Sequence, residues 1–237
     1  MSKPPSLDPR SPDPRSPRPP SPRPPSPDQP SFDRVARLYR WAEYLALGPL
    51  LTRTRQHHLP QLSHCRHALV LGDGDGRFLA RLLHLNPQLH ALAIDTSAAM
   101  LHLLRQRCAF AAPRLRTAQT SALTADPPPA TDLIVTHFFL DCLPQPEVVA
   151  LTQRLAAATA PGTLWLVSDF AIPTSALLRP FARLYIRGLY LAFRLLTGLR
   201  TQHLPDPQTA LTRAGFRRIA SHQRLGGLLY TELWQHR

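Results

Sequence analysis

The stretch ALVLGDGDGRFL contains the residues of this chain whose types and spacing point most directly to chemistry. Gly72, Gly74 and Gly76 alternate with Asp73 and Asp75 at the end of an apolar run. Glycine adopts a positive φ and lets the backbone approach a ligand closely. A loop of this kind at the end of a strand therefore predicts a ligand-binding turn.

The spacing and charge of this loop argue against a pyrophosphate ligand. A dinucleotide-binding turn reads G-x-G-x-x-G, which would place its third glycine at position 77, where this chain has Arg77. The two carboxylates would also repel phosphate groups. S-adenosylmethionine carries an ammonium and a sulfonium and no phosphate, so it suits an acidic turn better than NAD does.

A further acidic residue follows at the end of the next apolar run, HALAID. Asp95 lies 19 residues beyond Gly76, where a carboxylate can accept hydrogen bonds from both hydroxyls of a ribose. Because both NAD and S-adenosylmethionine contain a ribose, Asp95 does not discriminate between them. The glycine loop does.

Alternating strands and helices are predicted around these loops, with Ser97 and Asp206 as helix N-caps. This alternation is typical of a parallel sheet with helices on both faces. Two short strands around Gly226-Gly227 predict an antiparallel hairpin, and a helix from residue 32 is expected to break at Gly48-Pro49 before a second short one. The other predicted strands are 67–72, 90–95, 114–123, 131–140 and 162–170, and the other predicted helices are 77–85, 97–109, 146–160, 176–199 and 206–216.

In chain order these motifs resemble the class I S-adenosylmethionine-dependent methyltransferases over residues 32–237. LVLGDGDG resembles the first glycine motif of that family, ALAIDTSAAML its ribose motif, TDLIVTHFFLDCL its fourth strand and APGTLWLVSDF its fifth. RAGFRRIASH and LYTELW resemble its closing segment, and FDRVARLYRWAEYLALG more weakly resembles the quinone-biosynthesis branch. The resemblance implies a Rossmann-like, seven-stranded, mostly parallel sheet in the order 3-2-1-4-5-7-6, closed by an antiparallel hairpin.

The resemblance also implies S-adenosylmethionine as cofactor. The family often has an acid two residues before the first glycine, where this chain has Val70, and an aspartate after the third strand, where it offers Thr120 or Ser121. Asp73 is then the candidate partner of the ligand's ammonium group. No metal site is predicted. The implied cofactor-binding residues are Gly72, Asp73, Gly74, Asp75, Gly76, Asp95, Thr96, Met100, Thr120, Ser121 and His137.

Methyl transfer from a sulfonium is an in-line displacement, for which a protein mainly supplies alignment and a dry pocket. A general base is needed only when the acceptor must lose a proton. His137, Asp141 and the pair His57-His58 are candidates. The competing interpretations are that His137 packs beside the ligand, Asp141 caps a turn and the histidine pair is solvated.

An aromatic-rich lining predicts an apolar acceptor. Tyr39, Trp41 and Tyr44 belong to the first predicted helix, and Tyr185 belongs to the basic, aromatic segment 177–199. That segment has three interpretations: a lid over a lipophilic substrate, a helix on an anionic membrane surface, or a helix packed on the core with its arginines in solvent.

The composition predicts one domain behind a disordered tail. The chain has 237 residues, 43% of them hydrophobic, enough for one sizeable core. The proline-rich residues 1–30 predict a disordered extension, or alternatively a docking peptide. The domain is expected to cover 31–237, with a helical cap at 31–60 and a helical insertion or lid at 171–203.

The expected location is the cytoplasm, with peripheral membrane contact if 177–199 binds a bilayer. Cys65, Cys108 and Cys142 form no disulfide framework, no signal sequence opens the chain, and no apolar run reaches the ~18 residues of a membrane span. The net charge of +13 comes mostly from arginines spread along the chain, so nucleic acid is not an expected partner.

The leading function hypothesis is a methyltransferase acting on a small, apolar acceptor. One alternative is a methyltransferase-like scaffold that binds the cofactor poorly and docks through its proline-rich tail. The other is an NAD- or nucleotide-sugar-dependent enzyme on a similar sheet, which the acidic glycine loop disfavours.

Overall fold

A seven-stranded sheet organises the computed structural model, which describes residues 47–197 and 203–237. Its strands follow one another in the order β3-β2-β1-β4-β5-β7-β6. β1 to β5 pair in parallel, whereas β7 runs antiparallel to both β5 and β6. The strands are β1 His67–Leu71, β2 His90–Asp95, β3 Leu115–Gln119, β4 Leu133–His137, β5 Leu164–Phe170, β6 Phe216–Arg224 and β7 Leu229–His236. The predicted sheet order and hairpin are confirmed.

Six α-helices accompany the sheet within the described ranges. Ser97 and Asp206 cap two of them as predicted, since the Ser97 hydroxyl accepts from the Met100 N–H and the Asp206 carboxylate accepts from the Thr209 N–H. Gly48-Pro49, expected to break a helix, stands at the start of one, where the missing proline N–H is no loss. The helices are α1 Gly48–Arg55, α2 Arg77–Leu85, α3 Ala98–Arg107, α4 Gln145–Ala157, α5 Arg179–Thr197 and α6 Pro207–Arg213.

Successive residues of β1 enter two different hydrophobic clusters. Ala68 and Val70 pack with α2, and Leu69 and Leu71 pack with α4 on the opposite face. Both faces of the parallel strands are therefore covered, which explains why those strands read as continuous apolar runs and not as alternating patterns.

Two strands are shorter than predicted because local geometry ends them. β3 stops at Gln119, after which the Ser121 hydroxyl accepts from the Leu123 N–H in a tight turn. β4 stops at His137, because Phe138 adopts a φ of 52° and the chain then enters a short 3-10 helix, Leu140–Cys142. Both turns lie at the carboxyl edge of the sheet, where ligands of such folds bind.

Several predictions fall outside the described residues. They are the tail 1–30, residues 31–46 of the helical cap with Tyr39, Trp41 and Tyr44, and residues 198–202 of the insertion. The described part of the insertion contains α5. Among the described helices, none combines the length and the apolar character needed to cross a membrane.

Candidate active site

The glycine turn that follows β1 has one position open to a ligand. Gly72, Gly74 and Gly76 have φ values of 66°, 62° and 77°. A Cβ on Gly72 would lie 2.5 Å from the Phe139 ring, and one on Gly76 would lie 2.8 Å from Leu104 Cγ. A Cβ on Gly74 would meet no atom of the described residues within 4 Å. Packing thus requires the outer two glycines, whereas Gly74 borders space that a ligand can fill.

The two acids of this turn are bound within the chain. Asp73 is buried, and its Oδ2 accepts a hydrogen bond from the Leu79 N–H at 3.0 Å, which satisfies a donor in the first turn of α2. Asp75 Oδ2 lies 3.0 Å from Arg77 Nε and 2.9 Å from Arg107 Nη2. The charge of Asp75 is therefore offset, and contact of either acid with a cationic ligand stays a prediction.

Backbone hydrogen bonds bring the second group of predicted cofactor residues to the same edge. The Gly72 N–H donates to the Ile94 carbonyl at 3.0 Å, and the Thr120 N–H donates to the Asp95 carbonyl at 3.2 Å. Asp95 Oδ1 accepts from the Ser97 N–H at 2.9 Å, which orients its carboxylate beside the start of α3. Thr96 and Ser121 lie in the adjoining loops, and Met100 is buried in the first turn of α3.

His137 ends β4 as a buried, neutral imidazole. Its ring meets the Phe78 ring edge-on, with centroids 4.3 Å apart, and only 2% of the residue is exposed. Burial, and then the nearby Arg55 charge, hold the pKa of His137 well below its usual value. Within the described ranges neither ring nitrogen has a hydrogen-bond partner. Buried polar atoms are normally paired, so these nitrogens are suited to a ligand.

Asp141 and Asp169 form a buried carboxyl pair beside this site. Asp169 Oδ2 accepts from the Asp141 N–H at 3.2 Å, and the two side chains are hydrogen-bonded to each other. Both are at most 5% exposed. Burial raises the pKa of both carboxyls, and the pKa of Asp169 is raised further by its neighbour's charge. Such a pair retains a shared proton above the pH at which an exposed aspartic acid ionises.

The groups around this pair are neutral. The Cys142 thiol lies 3.4 Å from Asp141 Oδ1, and the Tyr190 hydroxyl donates to the Asp141 carbonyl at 3.0 Å. Burial, then the two carboxyls, raise the pKa of the Cys142 thiol, so it stays protonated. Across the described ranges, no arginine or histidine forms an ion pair with either carboxyl.

Three aromatic rings follow the carboxyl ends of β4 and β5 toward α5. The Phe138 and Phe170 ring centroids are 5.1 Å apart, and those of Phe170 and Tyr185 are 6.5 Å apart. All three side chains are partly exposed. Arg55 places its guanidinium 4.9 Å from the Phe138 centroid, a cation–π distance. The φ of 52° at Phe138 is unusual for an aromatic residue and sets the direction of this row.

The predicted solvation of the histidine pair is wrong for His58. Only 3% of His58 is exposed, and its ring nitrogens lie 2.7 Å from Gln61 Oε1 and 3.3 Å from the Thr231 carbonyl oxygen. His57 is exposed and stacks on His222 at 3.8 Å. Both histidines therefore join the segment after α1 to the hairpin.

Sequence reasoning missed Asp169, Phe138 and Phe170. Asp169 stands near the carboxyl end of a buried parallel strand, and the same rule that selected Asp95 would have selected it. Phe138 follows β4 and Phe170 ends β5, and neither position gave a separate signal in the sequence. Only the pairing of β4 with β5 brings them together.

Known proteins resemble this chain in sequence and in fold. Residues 69–164 match the family of methyltransferase domains. Trans-aconitate 2-methyltransferase of Methylobacterium radiotolerans is 36% identical over 120 residues, which make up 49% of this chain and 44% of that protein. This chain is therefore similar to methyltransferases over part of its length. It spans less than half the length of that relative.

Solved methyltransferases share the fold of this domain. Mitomycin 7-O-methyltransferase superposes with a TM-score of 0.64 at 19% identity over 87% of this chain and 61% of its own. An O-methyltransferase family 2 protein of Planctomyces limnophilus, solved with apigenin, gives 0.64 at 17% identity over 86% and 62%. The N-methyltransferase NodS of Bradyrhizobium japonicum gives 0.54 at 17% identity over 79% and 97%.

These likenesses favour the methyltransferase hypothesis over the NAD-dependent alternative. The segment that matches methyltransferase domains includes the glycine turn, Asp95 and Asp141. Its open position at Gly74 also accommodates a ligand close to the backbone. Because these solved structures are less than 20% identical to this chain, they show its fold and do not identify its methyl acceptor.

Proposed function

We propose that this chain transfers a methyl group from S-adenosylmethionine to a small, apolar acceptor. The observation that carries the proposal is one sheet edge with two chemically different halves. An open glycine turn follows β1, and Asp95, an acid suited to ribose hydroxyls, ends β2. An aromatic row and a buried carboxyl pair lie near the carboxyl ends of β4 and β5. The donor contributes an electrophilic methyl group.

On the donor side, the chain's task is to bind and orient. Gly74 leaves room beside the turn, and Asp95 is positioned by Ser97 for the ribose hydroxyls. The ring nitrogens of His137, which have no hydrogen-bond partner among the described residues, are assigned to a hydrogen bond with the donor or its product. Thr96, Thr120 and Ser121, by their positions in the neighbouring loops, and Met100, in the first turn of α3, are assigned to the adenosine side.

On the acceptor side, Phe138, Phe170 and Tyr185 offer partly exposed ring faces to an apolar or aromatic molecule. The helix that carries Tyr185 also carries Tyr190, which anchors it to the Asp141 carbonyl. α5 therefore forms a wall or lid of the acceptor site. The structural relative solved with apigenin binds an aromatic compound of the class that this row would suit.

The Asp141–Asp169 pair is assigned the proton that an acceptor hydroxyl or amine loses. The pair is buried without a counter-cation in the described chain, so a second proton would make it neutral and remove an unfavourable buried charge. During transfer, a bond between the methyl carbon and the acceptor would form as the donor's carbon–sulfur bond broke, and Asp141 would take the proton that the acceptor loses. His137 is a weaker candidate base because its ring packs against Phe78.

Gly74→Val tests the donor half, with Gly162→Val as matched control. Both glycines have positive φ, 62° and 94°, and within the described part of the chain neither Cβ would meet an atom within 4 Å. Each valine therefore carries a similar backbone strain of about 1–2 kcal/mol. Gly162 lies before β5, at the opposite edge of the sheet.

Calorimetry on the full chain, with S-adenosylhomocysteine and with NAD, measures the outcome. We expect only S-adenosylhomocysteine to bind, with affinity reduced about 10- to 100-fold in Gly74→Val and unchanged in Gly162→Val. Binding of NAD alone would support the dehydrogenase alternative. A folded protein that binds neither ligand would support the scaffold.

A further inference from the structure

The two faces of α5 differ in a way that the proposed reaction does not explain. Ala182, Ile186 and Tyr190 point into the protein and are 5–8% exposed. On the opposite face large apolar side chains point into solvent, and they continue from the turn that precedes the helix. They are Leu177 at 77%, Phe181 at 69%, Leu184 at 72% and Leu191 at 55% exposure.

These four residues form one continuous surface, named here the outer stripe. Their spacing of four, three and seven residues places them on the same side of a helix. Gly188 lies on that side between Leu184 and Leu191, and a Cβ there would meet nothing within 4 Å in residues 47–197 and 203–237. Single exposed apolar residues are common, but a row of this size marks a surface that contacts something else.

Only positive charge accompanies the outer stripe. Arg179, Arg183 and Arg187 are exposed, and none of them forms an ion pair with a described carboxylate. Arg179 donates to the Thr174 carbonyl and to no acid. The sequence between Asp169 and Asp206 contains no acidic residue at all.

We propose that the outer stripe docks onto an anionic bilayer surface, with α5 lying in the interface. Leucine and phenylalanine side chains would enter the boundary between headgroups and acyl chains, and the arginines at their flank would reach the lipid phosphates. A bilayer supplies the apolar layer and the negative charge that this face lacks.

A second copy of the chain fits this surface less well. Symmetric dimers pair the same patch on both subunits, so the arginines of one stripe would face those of the other without an acid between them. The inference depends on α5 alone and is independent of the proposed methyl transfer. On a membrane, the same helix would place the acceptor site next to apolar molecules dissolved in the bilayer.

Vesicle co-sedimentation of the full chain tests the proposal, using phosphatidylcholine vesicles with and without phosphatidylserine. Gly188→Glu and Gly188→Leu are the decisive pair, because both fit open space and both improve helix propensity. We expect partitioning onto phosphatidylserine vesicles to fall about tenfold in Gly188→Glu and to rise about tenfold in Gly188→Leu.

Charge variants separate specific attraction from the general basicity of the protein. Arg183→Gln is expected to lower partitioning about fivefold on phosphatidylserine vesicles and hardly at all on pure phosphatidylcholine. Arg81→Gln removes an equal charge from the exposed face of α2 and is the matched control. Equal losses in the two variants would mean nonspecific attraction and overturn the proposal.

Three further outcomes would overturn it. The first is an absence of partitioning in wild type, and the second is a dimer in light scattering that Gly188→Glu dissociates. The third is protection of Phe181 and Leu184 from hydroxyl radicals in the vesicle-free monomer, which would mean that another segment of the chain covers the stripe. Failure of S-adenosylhomocysteine binding would leave these results unaffected and would concern only the proposed reaction.

Discussion

The acids at the carboxyl ends of β1 and β2 differ in their surroundings from those near the ends of β4 and β5. Asp73 and Asp95 accept backbone N–H donors at helix starts, and Asp75 pairs with two arginines. Asp141 and Asp169 are buried against each other, and the described chain supplies them with no cation.

This difference separates acids that stabilise the fold in their charged form from acids that are ready to take up a proton. A carboxylate that caps a helix or pairs with arginine stabilises the fold in its charged form. A buried carboxyl pair without a counter-charge destabilises the fold when charged, and it gains by taking up a proton. The acids of the β1–β2 half therefore stabilise the fold as charged groups, and the acids of the β4–β5 half form the pair to which we assign the acceptor's proton.

The largest expected effect is on methyl transfer in Asp141→Asn. Removal of a positioned base typically lowers kcat by about 10²- to 10⁴-fold. The asparagine preserves the shape of the side chain, so the affinity for S-adenosylhomocysteine should change little. The measurement is transfer of a labelled methyl group to a panel of phenols and arylamines, alongside calorimetry.

Asp126→Asn is the control for that variant. Asp126 is 86% exposed and pairs with Arg154 at 3.3 Å, so its loss should leave transfer unchanged. Equal activity of wild type and Asp141→Asn on an acceptor that both methylate would contradict a proton-accepting role. The difference between the two halves would then concern packing alone.

The next effect is a gain of stability in Asp169→Asn at neutral pH. Because the pKa of Asp169 is raised, the folded state keeps a proton that the unfolded chain loses above about pH 4. Unfolding then releases a proton, and the free energy of unfolding declines with rising pH, by up to about 1.4 kcal/mol per pH unit, until the folded pKa is passed. Asparagine removes this decline.

Thermal unfolding of both proteins from pH 4 to pH 8 measures the gain. We expect equal Tm near pH 4 and a higher Tm for the variant, by about 2 °C or more, near pH 8. The lowered pKa of His137 destabilises both proteins alike below about pH 6.5, so it cancels in the difference. A variant less stable than wild type at pH 8 would mean that the charged pair stabilises the fold.

The sequence predicted the β1–β2 half better than the β4–β5 half, for a physical reason. The bounds of α2 and β2 match the expected 77–85 and 90–95, and Ser97 caps its helix, because local patterns determine these features. The carboxyl pair joins residues 28 positions apart and is completed by Tyr190 from a third element. No local sequence pattern predicts the contact between these two carboxyls. Asp141 was therefore predicted as a candidate base, whereas Asp169 was not.

A smaller loss of stability is expected in Asp73→Ala. Asp73 accepts the Leu79 N–H at 3.0 Å in a buried position, and loss of such a helix-start contact usually costs about 0.5–2 kcal/mol. Urea denaturation at pH 7 would show it as a lower midpoint. This expected loss of stability is opposite in sign to the gain expected for Asp169→Asn. A change of stability in the same direction for both variants would remove the contrast between the two halves.

The smallest effect is expected at Asp75, where two arginines share one carboxylate. The side chains of Arg77 and Arg107 are 23% and 41% exposed, and such ion pairs contribute about 0.2–1 kcal/mol. If Asp75 is structural, Asp75→Asn and Arg107→Gln should lower Tm by similar amounts, and the double variant should lose less than their sum. Calorimetry with S-adenosylhomocysteine decides the other possibility. A loss of affinity in Asp75→Asn but not in Arg107→Gln would mean that the Asp75 carboxylate itself contacts the ligand, and a second acid of the β1–β2 half besides Asp95 would then take part in binding.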